Sequence, residues 1–352
     1  MDVRRWAFDV FGLNSELTSL IRRRIQDDGP QPFAWFMEQA LYHPEHGYYA
    51  SDRAAIGREG DYFTNVSVGP LFGQLLAIQF AEIWERLGKI DKFTIVEQGA
   101  HHGEFAHDTL EFLQRRFPGF FSAVSYWIVE PFPKLQHRQS QTLREFGDRV
   151  QWRRSIDELE PFTGIHFSNE LLDSMPINLH GKLVGLAGDQ LVFVDSPKKQ
   201  KATQSRRDWI RNIAIKLRRG FVLAIDYGFP EREFREVLQV RARHRLLDSP
   251  FEEIGSADMT AHVNWTEIAQ TAEKNRLRLI GFTDQHHFLT GVVASFPEIV
   301  VEEKSKRALQ TLLHPEMLGR SFQVLALSRD VELGASLSGF KFARDARAQL
   351  GL

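Results

Sequence analysis

Three short stretches place acids, amides and glycines at spacings that suit chemistry. In Phe93-Thr-Ile-Val-Glu-Gln-Gly-Ala-His-His-Gly-Glu-Phe105 an apolar run ends in Glu97, and Gly99 and Gly103 then precede a helical pattern. Glu130 closes a second apolar run, Tyr126–Val129, about one βαβ unit later. In Asn169-Glu-Leu-Leu-Asp-Ser-Met-Pro176 a third strand-like run delivers Asn169, Glu170 and Asp173, and Pro176 stiffens the loop that carries them. Ligands of open parallel sheets bind beyond the carboxyl ends of the strands, so all three stretches would meet at one edge.

Each stretch suggests a role. Gly99 and Gly103 let the backbone turn tightly and approach a ligand without a Cβ clash. A carboxylate at Glu130 can accept both hydroxyls of a ribose. Ser155-Ile156-Asp157 sets one apolar side chain and one acceptor where an adenine ring would lie. There is no GxxxxGK[ST] phosphate loop, and an acid ahead of the turn disfavours a nearby diphosphate. S-adenosylmethionine, cationic and free of phosphate, is therefore preferred to NAD, and a nicotinamide-dependent dehydrogenase ranks third. Inside the turn stand Ala100, His101 and His102, so the histidines bring bulk to the place where the backbone would pass the ligand. The bland alternative is a βα turn that binds nothing.

Asn169, Glu170 and Asp173 could orient a nitrogen nucleophile, accept its proton or neutralise a cationic side chain. They could equally begin a helix, with Ser168 or Asn169 as its cap. The pairs His101-His102 and His286-His287 point adjacent side chains to different sides and would chelate poorly, so no metal site is expected.

The elements around these residues follow from periodicity. Trp6 to Asp28 and Phe33 to Leu41 read as helices, and Leu71 to Leu87 has a strong helical pattern. From Phe93 strands and helices alternate, which predicts a mainly parallel sheet covered on both faces. Lys182–Gly185 and Gln190–Val194 flank Gly188-Asp189 and read as an inserted β-hairpin. Phe221–Ile225 is the most strand-like run, Val293–Leu313 reads as largely helical, and Phe322–Leu327 is a last strand with an antiparallel finish. The expected division is an N-terminal helical segment with a substrate-side loop over 1–90, a core over 91–330 with an insertion near 177–205, and a peripheral tail over 331–352.

Bulk properties narrow the class. The 352 residues are 43% hydrophobic and 26% charged with a formal net charge of −2, which suits a globular fold and argues against a dedicated nucleic-acid binder. Without cysteine, disulfides, thiolate catalysis and cysteine–zinc sites are excluded. No run reaches the ~18 apolar residues of a membrane span and no apolar leader follows Met1, so a cytoplasmic protein is expected. An isologous homodimer through the N-terminal helices is compatible with the sequence, although no pattern demands it.

Several motifs together resemble one family. Tyr42-His-Pro-Glu-His-Gly-Tyr-Tyr49, Gly60-Asp-Tyr-Phe-Thr64, Leu71-Phe-Gly-Gln-Leu-Leu76, Val96-Glu-Gln-Gly99, Asn169-Glu-Leu-Leu-Asp-Ser-Met-Pro176, Asp226-Tyr-Gly228 and Ala257-Asp-Met-Thr-Ala-His-Val263 occur in the order seen in the MidA family of S-adenosylmethionine-dependent methyltransferases. The resemblance implies an α/β class I (Rossmann-like) core of seven strands with N-terminal helices and an inserted substrate-side region. It implies protein N-methylation, with arginine as the acceptor in the family's mitochondrial branch. By analogy Glu97, Gly99, Ala100, His101, Gly103, Glu130, Ile156 and Asp157 would hold the cofactor. Asp61, Thr64, Asn169, Glu170 and Asp173 would line the acceptor side, and the partner would be a protein. Two departures stand out: the turn keeps only its outer glycines, and Asn65-Val66-Ser67 replaces the family's Ser-Pro-Glu after Thr64. Both support an alternative, a methyltransferase-fold binding or assembly factor without turnover.

Overall fold

The computed structural model describes residues 4–50, 64–196, 205–243, 245–300, 303–332 and 334–352. The chain divides into two compact units that do not follow the linear boundaries read from the sequence. One comprises Met1–Phe63, Ser174–Arg206 and Glu236–His262, and the other Thr64–Asp173, Arg207–Arg235 and Val263–Leu352.

The second unit is built on the strands β1 (Phe93–Gln98), β2 (Val124–Val129), β3 (Val150–Arg153), β4 (Phe162–Asn169), β5 (Leu217–Phe229), β6 (Arg278–Asp284) and β7 (Phe322–Arg329). Their order across the sheet is 3-2-1-4-5-7-6, and the two residues Val263–Asn264 add a short parallel strand on β5. The strands β1 to β5 run parallel, whereas β7 lies antiparallel to both β5 and β6. The expected class I core with its antiparallel finish is thus present. Strand order reverses between β1 and β4, which is where such sheets open a ligand crevice.

Successive strand residues face opposite sides, so two neighbours on β4 show how the sheet is covered. Phe167 stacks on Phe105 of the helix Glu104–Arg116 at 4.5 Å, while His166 meets Trp209 of the helix Ser205–Lys216 edge-on at 5.7 Å. Helices therefore cover both faces. The helix Leu71–Arg86 adds Phe80, which also packs edge-on against Phe167, and each ring buried this way contributes roughly 2 kcal/mol.

The first unit has its own apolar core, in which Leu17, Ile21, Phe33, Phe36, Met37, Tyr48, Val184, Val240 and Met259 are buried together. The expected hairpin forms as Lys182–Ala187 paired with Gln190–Asp195, and Gln31–Pro32 joins its other edge. Three further strands, Leu238–Ala242, Arg245–Leu246 and Asp258–Ala261, form a small antiparallel sheet. They are half-buried: Val240 and Ala242 face the core while Gln239 and Arg241, alternating with them, are not buried, and such mixed composition hides a short strand.

Two other expectations are corrected. The helical run Val293–Leu313 is two helices, Gln285–Ser295 and Glu303–Leu313, because Pro297 holds Phe296 at φ −145° and ψ 66° outside the helical region. The tail from Val331 is packed: Leu337, Phe340 and Leu350 are buried, and Ser338 and Gly339 donate backbone N–H groups to Glu82 and Gln79.

Candidate active site

The glycine turn after β1 has the backbone form its sequence suggests. Gly99 and Gly103 have φ of +86° and +89°, a region that side chains rarely enter. His101 between them also lies in the left-handed region, at φ +46°. Histidine visits that region more readily than most residues, so the turn keeps its shape without a central glycine. Its carbonyl is fixed by the Gln139 side chain at 2.8 Å, while ring Nε2 is buried and lacks a hydrogen-bond partner.

Gln139, wholly buried on the helix Pro133–Thr142, was not singled out in the sequence, yet it organises the cofactor side. Besides the His101 carbonyl its Nε2 donates to Glu130 Oε2 at 3.1 Å, and its Oε1 accepts from Trp152 Nε1 at 2.9 Å. One amide therefore ties the glycine turn to the acid after β2 and to β3. Its only advance signal was a polar residue at a core-facing position of a helix.

The two strand-end acids are buried and unusually reluctant to ionise. Burial raises Glu97 to about 8, against the hydrogen bond it accepts from Tyr126 Oη at 2.7 Å. Burial likewise raises Glu130 to about 7, opposed by donors from Phe132 N and Gln139. The Tyr126 hydroxyl is pushed well above its ordinary value by burial and by the neighbouring carboxyl. Farther along, Ile156 is buried, and Asp157 is exposed with its carbonyl held by Lys216 Nζ at 2.7 Å.

A ring nitrogen of His101, one of His102 and a Glu104 oxygen lie within 4.8 Å of one another. Arg138 donates to His102 Nε2 at 3.1 Å, so a neutral ring carries its proton on Nδ1. The two rings stack at 3.7 Å and 27°, and Arg138 occupies the His102 Nε2 lone pair that a metal would need.

Glu170 adopts φ +52° and its N–H donates to the Ile225 carbonyl, which anchors the turn after β4 to β5. No helix starts at this turn. Instead Asp226, buried at the end of β5, takes backbone N–H donors from Leu171, Leu172 and Asp173 on one oxygen, at 3.1, 2.7 and 3.3 Å. Three successive amides around one carboxylate form an anion nest, which holds the Glu170–Asp173 backbone in one shape. Leu171 lies 3.4 Å from where a Cβ on Gly99 would stand, so the glycine turn and the acceptor turn adjoin. Asn65 donates to Asn169 at 3.0 Å, and Asn169 to Glu170 at 2.9 Å. Thr64 and Ser67 cap each other, with Thr64 N donating to Ser67 Oγ at 2.9 Å and Ser67 Oγ to Thr64 O at 2.7 Å. The substituted Asn65-Val66-Ser67 loop is therefore tied into the site. Asp61 lies outside the described residues.

These residues fit an adenosine cofactor. Two acids end adjacent strands, left-handed glycines open the turn beside them, and a buried ring nitrogen waits without a partner.

Comparison with known proteins leads the same way. The family model described as "Putative S-adenosyl-L-methionine-dependent methyltransferase" matches residues 75–205 and 201–283. The chain is 24% identical to the Drosophila melanogaster protein arginine methyltransferase NDUFAF7 homolog, mitochondrial, over 89% of its length and 85% of that protein's. It is also 24% identical to human protein arginine methyltransferase NDUFAF7, mitochondrial, over 92% and 85%. A crystal structure from Burkholderia thailandensis, described as a "likely methyl transferase" and bound to S-adenosyl-homocysteine, superposes with a TM-score of 0.83 at 26% identity, over 97% of this chain and 98% of that one. The mitochondrial relatives overturn the expected cytoplasmic location. The turnover-free alternative is not favoured, since these relatives are named as enzymes. With the matched model spanning more than half of the sequence, the chain belongs to this family and is an S-adenosylmethionine-dependent methyltransferase of class I fold.

Proposed function

We propose that the enzyme methylates a nitrogen of a protein side chain, and that the acceptor is arginine. The observation that carries this reading is the Glu170 carboxylate, fixed by amide donors on the turn that adjoins Gly99. A planar guanidinium offers donors in a fork that matches such a carboxylate, and Asp173 on the same turn supplies a second one. The names of the relatives support the same acceptor.

In this reading Glu97, Gly99, Ala100, His101, Gly103 and Glu130 hold the cofactor, with Ile156 and Asp157 at its base. The bound cofactor supplies a methyl group made electrophilic by its sulfonium. Glu170 and Asp173 hold the guanidinium and offset its charge, so that one nitrogen is aligned with the methyl carbon. Asn169 fixes Glu170, and Thr64 supports the facing loop. As the N–C bond forms, the S–C bond breaks and sulfur keeps the electron pair. Glu170 takes the surplus N–H proton and passes it to solvent.

Purified enzyme with methyl-labelled S-adenosylmethionine and a synthetic Gly-Arg-rich peptide tests the proposal against the same peptide carrying lysine. Label on the arginine peptide alone is the expected result. Label on neither, or only on the lysine peptide, rules out arginine.

A further inference from the structure

A polar chain crosses the interior of the sheet unit and ends on Glu170. It begins at Gln285, a wholly buried residue in the first turn of the helix Gln285–Ser295. Gln285 Nε2 donates to the Leu312 carbonyl at 3.2 Å and to Asn65 Oδ1 at 2.7 Å. Asn65, also wholly buried, donates Nδ2 to Asn169 Oδ1 at 3.0 Å. Asn169 Nδ2 donates to Glu170 Oε1 at 2.9 Å, and the Asn65 backbone N–H reaches the same oxygen at 3.4 Å.

The direction of this chain is set at both ends. A peptide carbonyl and a carboxylate can only accept, so the Gln285 amide must turn its nitrogen toward Leu312 and every later amide must donate toward Glu170. The arrangement carries a cost: Gln285 Oε1 is buried with no hydrogen-bond partner. Its oxygen stays unpaired because the amide nitrogen serves both Leu312 and Asn65.

We propose that Gln285 and Asn65 are positioning residues, whose one-way amide chain through Asn169 holds Glu170 Oε1 against the acceptor nitrogen. Asn65 stands in the loop that Thr64 and Ser67 close by capping each other. This rests on the reading of Glu170 as the acceptor-side carboxylate.

Reversing the chain tests it. Once ionised, at alkaline pH because of its burial, a carboxylate from Gln285→Glu cannot donate, so Asn65 must turn its amide nitrogen toward position 285 and Asn169 must follow. The Asn169 oxygen then faces Glu170 and repels it. Gln285→Glu should lower kcat for the arginine peptide at least ~30-fold while calorimetric S-adenosylmethionine affinity stays within ~3-fold. Gln285→Leu removes one link without reversing the rest and should cost only about 5-fold. Should Gln285→Glu fail to fold, Asn65→Asp interrupts the same chain at its middle and should give the same split. A melting-temperature cycle supplies a readout free of activity. Glu170→Gln can accept from the wild-type Asn169 through its amide oxygen and donate to a reversed Asn169 through its nitrogen, so it should change wild-type stability little yet restore stability to Gln285→Glu, with turnover still absent. Unchanged kcat in folded Gln285→Glu, equal loss of cofactor affinity, or purely additive melting shifts would overturn the proposal. An inactive wild type on the arginine peptide would remove the arginine reading alone, because the melting cycle still reports on the chain.

Discussion

Tyr126 donates its hydroxyl to Glu97 at 2.7 Å, joining the acid at the end of β1 to the middle of β2. Burial raises Glu97 to about 8 against this hydrogen bond, and separately raises Glu130, after β2, to about 7. Both folded values lie above the unfolded ones, so the folded state binds more protons and stability of the free protein falls as pH rises toward about 8. Binding that uses the ionised carboxylates runs the other way, and S-adenosylmethionine affinity should strengthen as pH rises through about 7 to about 8. Calorimetry in buffers of different ionisation enthalpy should show proton release at neutral pH. A pH-independent affinity with no proton release would show that neither acid ionises on binding.

Tyr126→Phe removes the donor that opposes the burial of Glu97. The carboxyl should then ionise at still higher pH, so the rise in cofactor affinity should move to more alkaline pH, with a stability loss of about 1 kcal/mol. An affinity–pH curve matching wild type would sever the link between this hydroxyl and the cofactor.

Gln139→Leu leaves Glu130 without its amide donor, the His101 carbonyl unheld and the Trp152 indole N–H without its acceptor. A stability loss of roughly 2–4 kcal/mol is expected from these buried groups. Cofactor affinity should fall at least ~10-fold, because two binding turns lose their common tie. Chemical denaturation together with calorimetry would check both, and intact affinity in a destabilised variant would limit Gln139 to a structural role.

His101→Gly and His101→Val separate backbone shape from ring bulk. The turn already holds φ +46° at this position, so glycine should bind S-adenosylmethionine within ~3-fold of wild type. Valine is strained in that region and should lose at least ~10-fold. If wild type binds nothing and glycine restores binding, the histidine ring closes the site.

Asp226→Asn replaces the charged acceptor of three backbone amides. Loss of about 1–3 kcal/mol of stability is expected, with a larger fall in kcat than in cofactor affinity because the nest shapes the acceptor turn. Equal losses in both would place the nest's influence on the whole edge of the sheet.

Local rules made much of this enzyme legible in its residues. The strand–turn–helix around Glu97 and Gly99, the strand ending in Glu130, the hairpin around Gly188 and the antiparallel last strand all follow from short-range periodicity, turn chemistry and chain order. The candidate ligands at strand ends followed from the geometry of parallel sheets. What tertiary structure alone decided was how distant segments combine. Residues 1–63, 174–206 and 236–262 form one compact unit although the other unit's segments separate them in sequence. Gln285 meets Asn65 across 220 residues, and Asp226 holds a turn more than 50 residues before it. A buried amide or carboxylate leaves no periodic trace of its partner, because its hydrogen bonds depend on which strands become neighbours. The order 3-2-1-4-5-7-6 made that choice for this chain.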